Sequence, residues 1–362
     1  MPEKKNTPSF ENTSCPLPLR HTDQIVLGHG SGGRMTEELI QRVFLSHFQH
    51  PELLLGNDFA SLLPPQLDAH KGRISISTDA HIVKPLFFPG GDIGRLAVSG
   101  TVNDVAMSGA VPLYLTASFI IEEGFSITTL EKVVASMALT AEEAGVSIIA
   151  GDTKVAERGS VDQLFISTSG IGWIPEGRTI NGQSAQVGDS ILLSGTMGDH
   201  GIAVLAERGE LGFSTTIRSD VAPLNGMIAD LLKAAPHTHV LRDPTRGGVA
   251  TTLNEIARQS HVSMLLQEEA LPIKKQVQAA CEMLGFDPLY IANEGKLLAV
   301  VPEAETEQAL YAIRAHPLGK DAALLGKVIA VEDETPRVLL HTLIGGKRIV
   351  DVLSGELLPR IC

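Results

Sequence analysis

A candidate nucleophile stands at the C-terminus of this 362-residue sequence. Cys362 ends the segment GELLPRIC (355–362), so one residue carries both a thiol and the terminal carboxylate. A prenylation box would put its cysteine fourth from the end, which excludes that modification. If residues 350–362 detach from the rest of the protein, they reach on the order of 40 Å at about 3.3 Å per residue. The ending therefore indicates a carrier arm for a group attached to sulfur, with an ordinary chain terminus as the alternative.

Five aspartates form a second set of candidate functional residues. Each lies near the end of a predicted strand or helix, among small or apolar neighbours, where an ionised carboxylate needs a partner. If several converge, Mg²⁺ is the ion that they would naturally bind, because it takes hard oxygen donors and shares its coordination shell with phosphates. For any single one, the alternative is a cap at a turn or helix N-terminus. The five are Asp58, Asp79, Asp104, Asp152 and Asp243.

Two glycine-rich segments complement these carboxylates. Residues 28–34 (GHGSGGR) and 245–248 (TRGG) each precede a predicted helix, whose free N–H groups and positive dipole end favour phosphate. Neither segment is a Walker A loop or a Rossmann fingerprint. Arg246 and Lys154 are candidate charges at the phosphates, with ordinary surface charge as the alternative.

The composition argues against several other classes of protein. With 29 basic and 42 acidic side chains, the formal net charge is −13, which disfavours nucleic acid as the main partner. Cys15, Cys281 and Cys362 are far apart and form no CxxC pair, so neither a disulfide framework nor a zinc site is indicated. We read Cys15 as a leader residue and Cys281 as a buried helix residue. No signal peptide or membrane-spanning run is present in the sequence, which predicts a cytoplasmic protein without a membrane partner.

Helix and strand signals alternate along the chain without a regular βαβ order, which predicts an α+β fold of two lobes. A polar, glycine-bearing stretch at 175–188 is the predicted joint. We therefore expect a disordered leader at 1–24, an N-terminal domain at 25–180, a C-terminal α/β domain at 181–349 and a mobile tail at 350–362. The predicted helices are 93–108, 131–144, 201–208, 249–258 and 303–315, and the predicted strands are 73–77, 146–150, 164–171, 190–194, 296–301 and 337–343.

Several longer motifs resemble one protein family. They are FFPGGDIGRLAVSGTVNDVAMSGA (87–110), GDTKV (151–155), SGTMGDHG (194–201), LRDPTRGG (241–248), NEGKL (293–297), HPLGKDAALLG (316–326) and PRIC (359–362). The sequence resembles the phosphoribosyl-aminoimidazole synthetase superfamily of ATP-dependent enzymes and, within it, the HypE family of [NiFe]-hydrogenase maturation proteins. The resemblance covers about residues 25–362, and PRIC is its most specific part. Asn57 is a departure, because relatives often carry a second aspartate there.

The resemblance implies a fold, a reaction and partners. The implied fold is two-lobed and aminoimidazole-ribonucleotide-synthetase-like, with residues 25–180 as the ATP-binding and dimerisation domain. Its N-terminal sheet is expected to pair with its copy in a homodimer to form a barrel-like core. The carbamoyltransferase HypF places a carbamoyl group on Cys362, and the protein then uses ATP to dehydrate that group to a thiocyanate. The HypC–HypD iron-scaffold complex receives the resulting cyanide.

The resemblance also implies roles for individual residues. Asp79, Asp104 and Asp243 are the expected Mg²⁺ ligands, with Asp58 next. Glu294 is the expected base, with Lys154 as its proton-handling or charge-stabilising partner and a structural salt bridge as the alternative. His29 is expected to contact phosphate or to be a bystander. The residues expected to bind the nucleotide are Gly30, Ser31, Gly32, Gly33, Asp152, Arg246 and Gly247.

Two other functions stay open at this point. The first is another ATP-using relative, such as a selenophosphate synthetase or a small-molecule kinase. A selenophosphate synthetase typically has Cys or selenocysteine in its N-terminal glycine-rich segment, and none stands at 28–34. A kinase would not need the terminal thiol. The second is a scaffold with a vestigial nucleotide site, against which the full set of aspartates argues.

Overall fold

Two β-sheets, one from each half of the chain, organise the structure. The computed structural model describes residues 23–26, 29, 34–51, 72–209 and 216–352. The first sheet lies within residues 72–175 and the second within residues 190–350, with residues 176–189 between them. The expectation of an α+β fold in two lobes is confirmed.

The first lobe is a four-stranded sheet with its long helices on one face. In chain order its elements are α1 (Arg34–Leu39), continued by a π-helical turn (Ile40–Phe44), β1 (Gly72–His81), β2 (Phe87–Phe88), β3 (Gly91–Asp92), α2 (Ile93–Met107), β4 (Val111–Glu122), α3 (Ile127–Ala144), β5 (Ser147–Ala156) and β6 (Leu164–Pro175). The strand order is β1-β6-β4-β5, in which β4 and β5 are parallel and the other neighbours antiparallel.

Local sequence features fix the ends of the two long helices. The carboxylate of Asp92 begins α2 by accepting hydrogen bonds from two backbone N–H groups of the first turn, at 2.7 and 3.1 Å. Ser126 begins α3 through the N–H of Thr129 at 3.3 Å, and Gly145, with φ of 69°, ends it. Helix α2 is apolar or small on almost every side, so it is buried at the centre of the lobe.

The second lobe is a seven-stranded mixed sheet with helices on both faces. Its elements are β7 (Ser190–Leu193), α4 (Asp199–Glu207), α5 (Asn225–Ala234), β8 (Val240–Arg242), α6 (Gly248–Ser260), β9 (Ser263–Gln267), α7 (Lys275–Leu284), β10 (Leu298–Val301), α8 (Thr306–Ala315), β11 (Ala323–Ile329), β12 (Val338–His341) and β13 (Lys347–Val350). The strand order is β13-β12-β9-β11-β7-β10-β8. Helix α6 packs on one face, and α5 and α8 pack on the other.

Helix α2 also joins the two lobes. Its last residues, Ala106 and Met107, belong to the same buried cluster as α5 and α8. Asn103, whose side chain is almost fully buried, donates a hydrogen bond to the carbonyl oxygen of Ala222 (3.1 Å) and accepts one from the N–H of Leu224 (2.7 Å). Because both ends of this buried amide are paired, it fixes one lobe against the other.

Most of the long predicted elements are present, with different ends. The helix predicted from residue 131 begins at Ile127, because Ser126 supplies an N-terminal cap. The strand predicted at 146–150 continues to Ala156, so Asp152 and Lys154 lie within β5 and not in a loop after it. No helix in the described part of the chain is long and apolar enough to cross a membrane. Residues 1–22 of the predicted leader and 353–362 of the predicted tail lie outside the described residues.

Candidate active site

Three of the predicted metal-binding aspartates lie where the lobes meet. Asp79 is near the end of β1, Asp104 is on α2, and Asp243 directly follows β8. On β1 the side chains alternate, and those of Ser77 and Asp79 are on the half-buried face that packs against α2. Ser77 Oγ donates a hydrogen bond to Asp104 Oδ2 at 2.9 Å.

Glycine at position 100 lets the strand carrying Asp79 approach this helix. A Cβ atom at Gly100 would lie 3.0 Å from Cε1 of His81 and 3.5 Å from Oδ2 of Asp79. Gly100 is one turn before Asp104 on α2, so both carboxylates border the same face of the helix. His81, which is buried, lies 3.7 Å from Asp79 and also contacts Thr168 Oγ1 at 3.3 Å.

The charges of these aspartates oppose one another. Burial raises the pKa of Asp104; the hydrogen bond from Ser77 opposes this shift and the Asp79 carboxylate adds to it. Burial and the Asp104 carboxylate, with a smaller effect of Asp79, raise the pKa of Asp243 to about 7. Carboxylates that repel one another in a partly buried place are stabilised by a bound cation.

The donor set fits Mg²⁺ shared with phosphate and water. Within the described ranges, no group of three or more His, Cys, Asp or Glu side chains is arranged to hold a metal by itself. Mg²⁺ usually binds one or two carboxylates, several waters and substrate phosphates, so it needs no complete protein cage. The hard carboxylate oxygens of Asp79, Asp104 and Asp243 therefore match that ion. Asp58, the fourth predicted ligand, lies outside the described residues.

Cationic and glycine residues border the carboxylates on the second lobe. Arg246 is exposed in the loop after β8. Burial lowers the pKa of His81, the Asp79 carboxylate opposes that shift, and the Arg246 guanidinium adds to it, so Arg246 faces the same site. Gly247 stands immediately before α6 with φ of 74°. The loop residues Gly30, Ser31, Gly32 and Gly33 lie outside the described residues, and His29 is buried and accepts a hydrogen bond from the N–H of Val26 at 3.0 Å.

Asp152 and Lys154 are exposed neighbours on β5, at the edge of the first sheet. Asp152 borders an apolar pocket formed by β4, β5 and the π-helical turn, with Phe44, Phe48 and Phe119 in its lining. Such a pocket beside a carboxylate can accept a flat, partly polar ring.

Glu294 is buried in the loop before β10, in the second lobe. Its backbone N–H donates a hydrogen bond to Asp220 Oδ1 at 3.2 Å, and the ammonium of Lys296 lies 3.0 Å from Asp220 Oδ2. Asn293 Nδ2 donates to the carbonyl oxygen of Pro244 at 2.9 Å, which joins this loop to the one that carries Asp243. Lys154, by contrast, is on the other sheet. Asp220 lies outside every motif of the sequence, so no local pattern identifies it, although Lys296 lies within NEGKL.

One of the three cysteines, Cys281, lies in the described part of the chain. Cys281 is buried in α7, and burial raises the pKa of its thiol to about 11, so it is unreactive. This confirms its reading as a buried helix residue. Cys15 and Cys362 lie outside the described residues.

Comparisons with known proteins agree with this architecture. The N-terminal domain of AIR synthase related proteins matches residues 57–174, and the C-terminal domain matches residues 186–338. Fold and site thus define an AIR-synthase-related protein. The chain is 54% identical over 347 residues to carbamoyl dehydratase HypE of Cupriavidus necator, covering 96% of this chain and 97% of that one. It belongs to the HypE family, as the resemblance predicted.

Two solved structures resemble the chain along most of its length. One is hydrogenase maturation protein HypE in complex with ATP, at 48% identity and a TM-score of 0.88, covering 93% of this chain and 99% of that chain. The other is HypE from a HypE–HypF complex, at 50% identity and a TM-score of 0.75, covering 87% and 99%.

Proposed function

We propose that this protein is an ATP-dependent carbamoyl dehydratase that makes the cyanide ligands of a [NiFe]-hydrogenase. The observation that carries the proposal is 54% identity to a carbamoyl dehydratase over nearly the whole of both chains. The carboxylates Asp79, Asp104 and Asp243 support it, because they leave a negatively charged site suited to a nucleotide and its cation.

The proposed reaction converts an S-carboxamide on Cys362 into a thiocyanate. The amide oxygen is a poor leaving group, so it attacks the γ-phosphorus of ATP, and ADP departs. A base then removes the N–H protons, the carbon–nitrogen triple bond forms, and the oxygen leaves as phosphate. The balance is R–S–CONH₂ + ATP → R–S–CN + ADP + phosphate. Catalysis requires in-line positioning and general-base elimination.

Each candidate residue has a place in this scheme. We assign Asp79, Asp104 and Asp243 as Mg²⁺ ligands, with Asp58 as a further one; the bound ion would neutralise phosphate charge. Glu294 is the proposed base, in a buried place from which water is largely excluded. Lys154, which lies on the other sheet from Glu294, is the proposed charge-stabilising group at the phosphates. The proposed nucleotide contacts are Gly30, Ser31, Gly32, Gly33, Asp152, Arg246 and Gly247.

The proposal includes partners and an assembly. HypF would carbamoylate Cys362, the HypC–HypD complex would take the cyanide, and all would act in the cytoplasm. A homodimer built on the first sheet is supported by the sheet's second face, which carries exposed Ile74, Ile76 and Ile120. We keep the division into lobes at 25–180 and 181–349, with a leader before them and a carrier tail after them, as part of this proposal.

Intact-protein mass spectrometry tests the reaction and the carrier residue together. The protein is incubated with carbamoyl phosphate, Mg²⁺·ATP and HypF, and the C-terminal peptide is mapped. We expect a gain of about 43 Da on that peptide, because the thiol is the nucleophile and S–H becomes S–CONH₂. The gain should fall to about 25 Da as ATP is consumed, because loss of water converts S–CONH₂ into S–CN.

The matched variants are Cys362→Ala and Cys281→Ala. The first should show neither mass and should still bind ATP, whereas the second should behave like the wild type, because its thiol is buried. A carbamoylated tail that never loses water in the presence of ATP would point to a scaffold instead of a dehydratase.

A further inference from the structure

The segment 219–224 connects the two halves of the proposed site. On one side it is bonded to the first lobe: the N–H of Ser219 donates to the carbonyl oxygen of Pro89 (2.7 Å), and Arg95 Nε donates to that of Val221 (2.9 Å). The backbones of Ala222 and Leu224 form hydrogen bonds with the side chain of Asn103, the neighbour of Asp104 on α2. The segment is therefore fixed to the helix that carries a proposed metal ligand.

On its other side the same segment holds the loop that carries Glu294. Asp220 accepts a hydrogen bond from the N–H of Glu294 through Oδ1 and forms an ion pair with Lys296 through Oδ2. Gly295, between them, lies so close that a Cβ atom there would be 1.7 Å from the carbonyl oxygen of Asp220. Three consecutive residues of the loop thus contact one aspartate.

The Asp220–Lys296 pair is buried, with side-chain exposures of 4% and 9%. Burial alone would raise the pKa of Asp220, but the Lys296 ammonium and the charge of His200 bring it below its usual value, so the side chain remains an ionised acceptor at neutral pH. Ionised acceptors form the stronger hydrogen bonds. A bond of this kind restricts the loop more than a neutral one would.

We propose that Asp220 is the positioning residue for Glu294, and that the segment 219–224 sets the distance between Glu294 and the proposed metal-binding carboxylates, of which Asp104 lies on α2. The inference rests on the proposed function, in which Glu294 takes protons from a group activated at those carboxylates. A displacement of about 1 Å in such an arrangement costs on the order of 100-fold in rate. Asp220 touches no reacting atom in this scheme and acts through the backbone of Glu294.

The test removes the acceptor without leaving a buried charge. Asp220→Leu/Lys296→Met replaces the ion pair by apolar side chains of similar size, an exchange that proteins often tolerate. Asp220→Asn/Lys296→Met restores only an oxygen that can accept from the N–H of Glu294. Asp189→Ala is the control for the loss of a buried aspartate and its contact with a basic side chain elsewhere in the protein. Asp189 is buried and lies 2.7 Å from His239.

Two readouts are compared among these variants: the kcat and KM of ATP-dependent dehydration, and hydrogen exchange of the Glu294 amide in the metal-free protein. In the Leu/Met variant we expect kcat to fall by about 10- to 100-fold, KM for ATP to stay within about twofold, and the amide to exchange at least about 10-fold faster. The Asn/Met variant should recover most of the rate and of the protection. Asp189→Ala should change neither readout.

Equal kcat values and equal amide exchange in the Leu/Met and Asn/Met variants would overturn the positioning role. Failure of the wild type to dehydrate its tail would instead overturn the proposed function, and the amide exchange would still report whether Asp220 holds the loop. The two failures are therefore distinguishable.

Discussion

At the scale of single residues, the proposed metal ligands oppose folding when no cation is bound. Asp243 gains a high pKa from burial and from the charges of Asp104 and Asp79. The folded protein therefore binds a proton at Asp243 more tightly than the unfolded chain does. Ionising this side chain therefore lowers the free energy of unfolding, and a bound cation would raise it again.

Replacing Asp243 by Asn should stabilise the metal-free protein while weakening nucleotide binding. The folded pKa of about 7 lies above the ordinary 3.8, so the contribution of Asp243 to stability is complete below about pH 4 and is lost as pH rises through 7. The free energy of unfolding of Asp243→Asn minus that of the wild type should increase by about 1–3 kcal/mol as the pH is raised from 5 to 8. Urea denaturation with a chelator present measures this difference.

The same variant should bind Mg²⁺·ATP at least about 10-fold more weakly, as titration calorimetry would detect. Asp230→Asn, which changes an exposed aspartate on α5, is the control and should alter neither property. A constant difference in stability from pH 5 to pH 8 would contradict the account of Asp243.

Residue types alone predict part of this proposed site. Asp79, Asp104 and Asp243 were identifiable because carboxylates among small and apolar neighbours need partners. Asp220 was not, because its neighbours in sequence are ordinary and its role depends on a loop 74 residues further along the chain. Long-range pairing of this kind leaves no local pattern.

At the scale of elements, the turn that begins α6 ties the Asp243 loop to the Glu294 loop. Gly248 adopts φ of 61°, and a Cβ atom there would lie 2.5 Å from the carbonyl oxygen of Leu289 and 2.7 Å from that of Ile291. The start of α6 therefore rests directly on the backbone that leads to Glu294. Only glycine fits this approach without displacing that backbone.

Gly248→Ala should destabilise the protein by about 2–5 kcal/mol, because left-handed strain adds to overpacking. Gly285→Ala is the matched control: Gly285 has φ of 72° but open space around its Cβ position, so about 1–2 kcal/mol is expected from strain alone. Urea denaturation of both variants measures the difference. Equal losses would show that the contact with residues 289–291 contributes nothing.

Element boundaries show where sequence patterns are informative. Helix α2 is predicted as a run of small and apolar residues, and helix α3 is predicted because its apolar residues form one stripe. The Ser126 cap moves the start of α3, and α2 ends one residue before the predicted position. In the second lobe, strands β8, β9, β11 and β13 and helices α5 and α7 are not predicted. Their identity depends on packing in the seven-stranded sheet, where short buried runs do not distinguish strand from helix.

At the scale of the whole molecule, the first sheet presents an apolar face that the described helices do not cover. Ile76→Lys should convert the proposed homodimer into a monomer, because a desolvated ammonium in an apolar interface has no partner. Light scattering coupled to size-exclusion chromatography measures the molar mass.

The control for that experiment is Leu139→Lys on α3. Leu139 is 67% exposed and Ile76 is 71% exposed, so the two substitutions change equally accessible apolar side chains. Leu139→Lys should leave the molar mass unchanged. A dimer that survives Ile76→Lys would contradict assembly through this sheet.

The anchoring of strand β13 limits how far the proposed carrier thiol can travel from its site. Asn254 Nδ2 donates to the carbonyl oxygen of Val350 and Tyr290 Oη to that of Asp351, both at 2.8 Å, and Tyr290 lies four residues before Glu294. Cys362 follows Asp351 by 11 residues, a contour of at most about 40 Å. Tethering at that length corresponds to an effective concentration in the millimolar range. Under the proposed function, the carbamoylated thiol is therefore supplied within the molecule, and dilution of the protein would not slow the dehydration step.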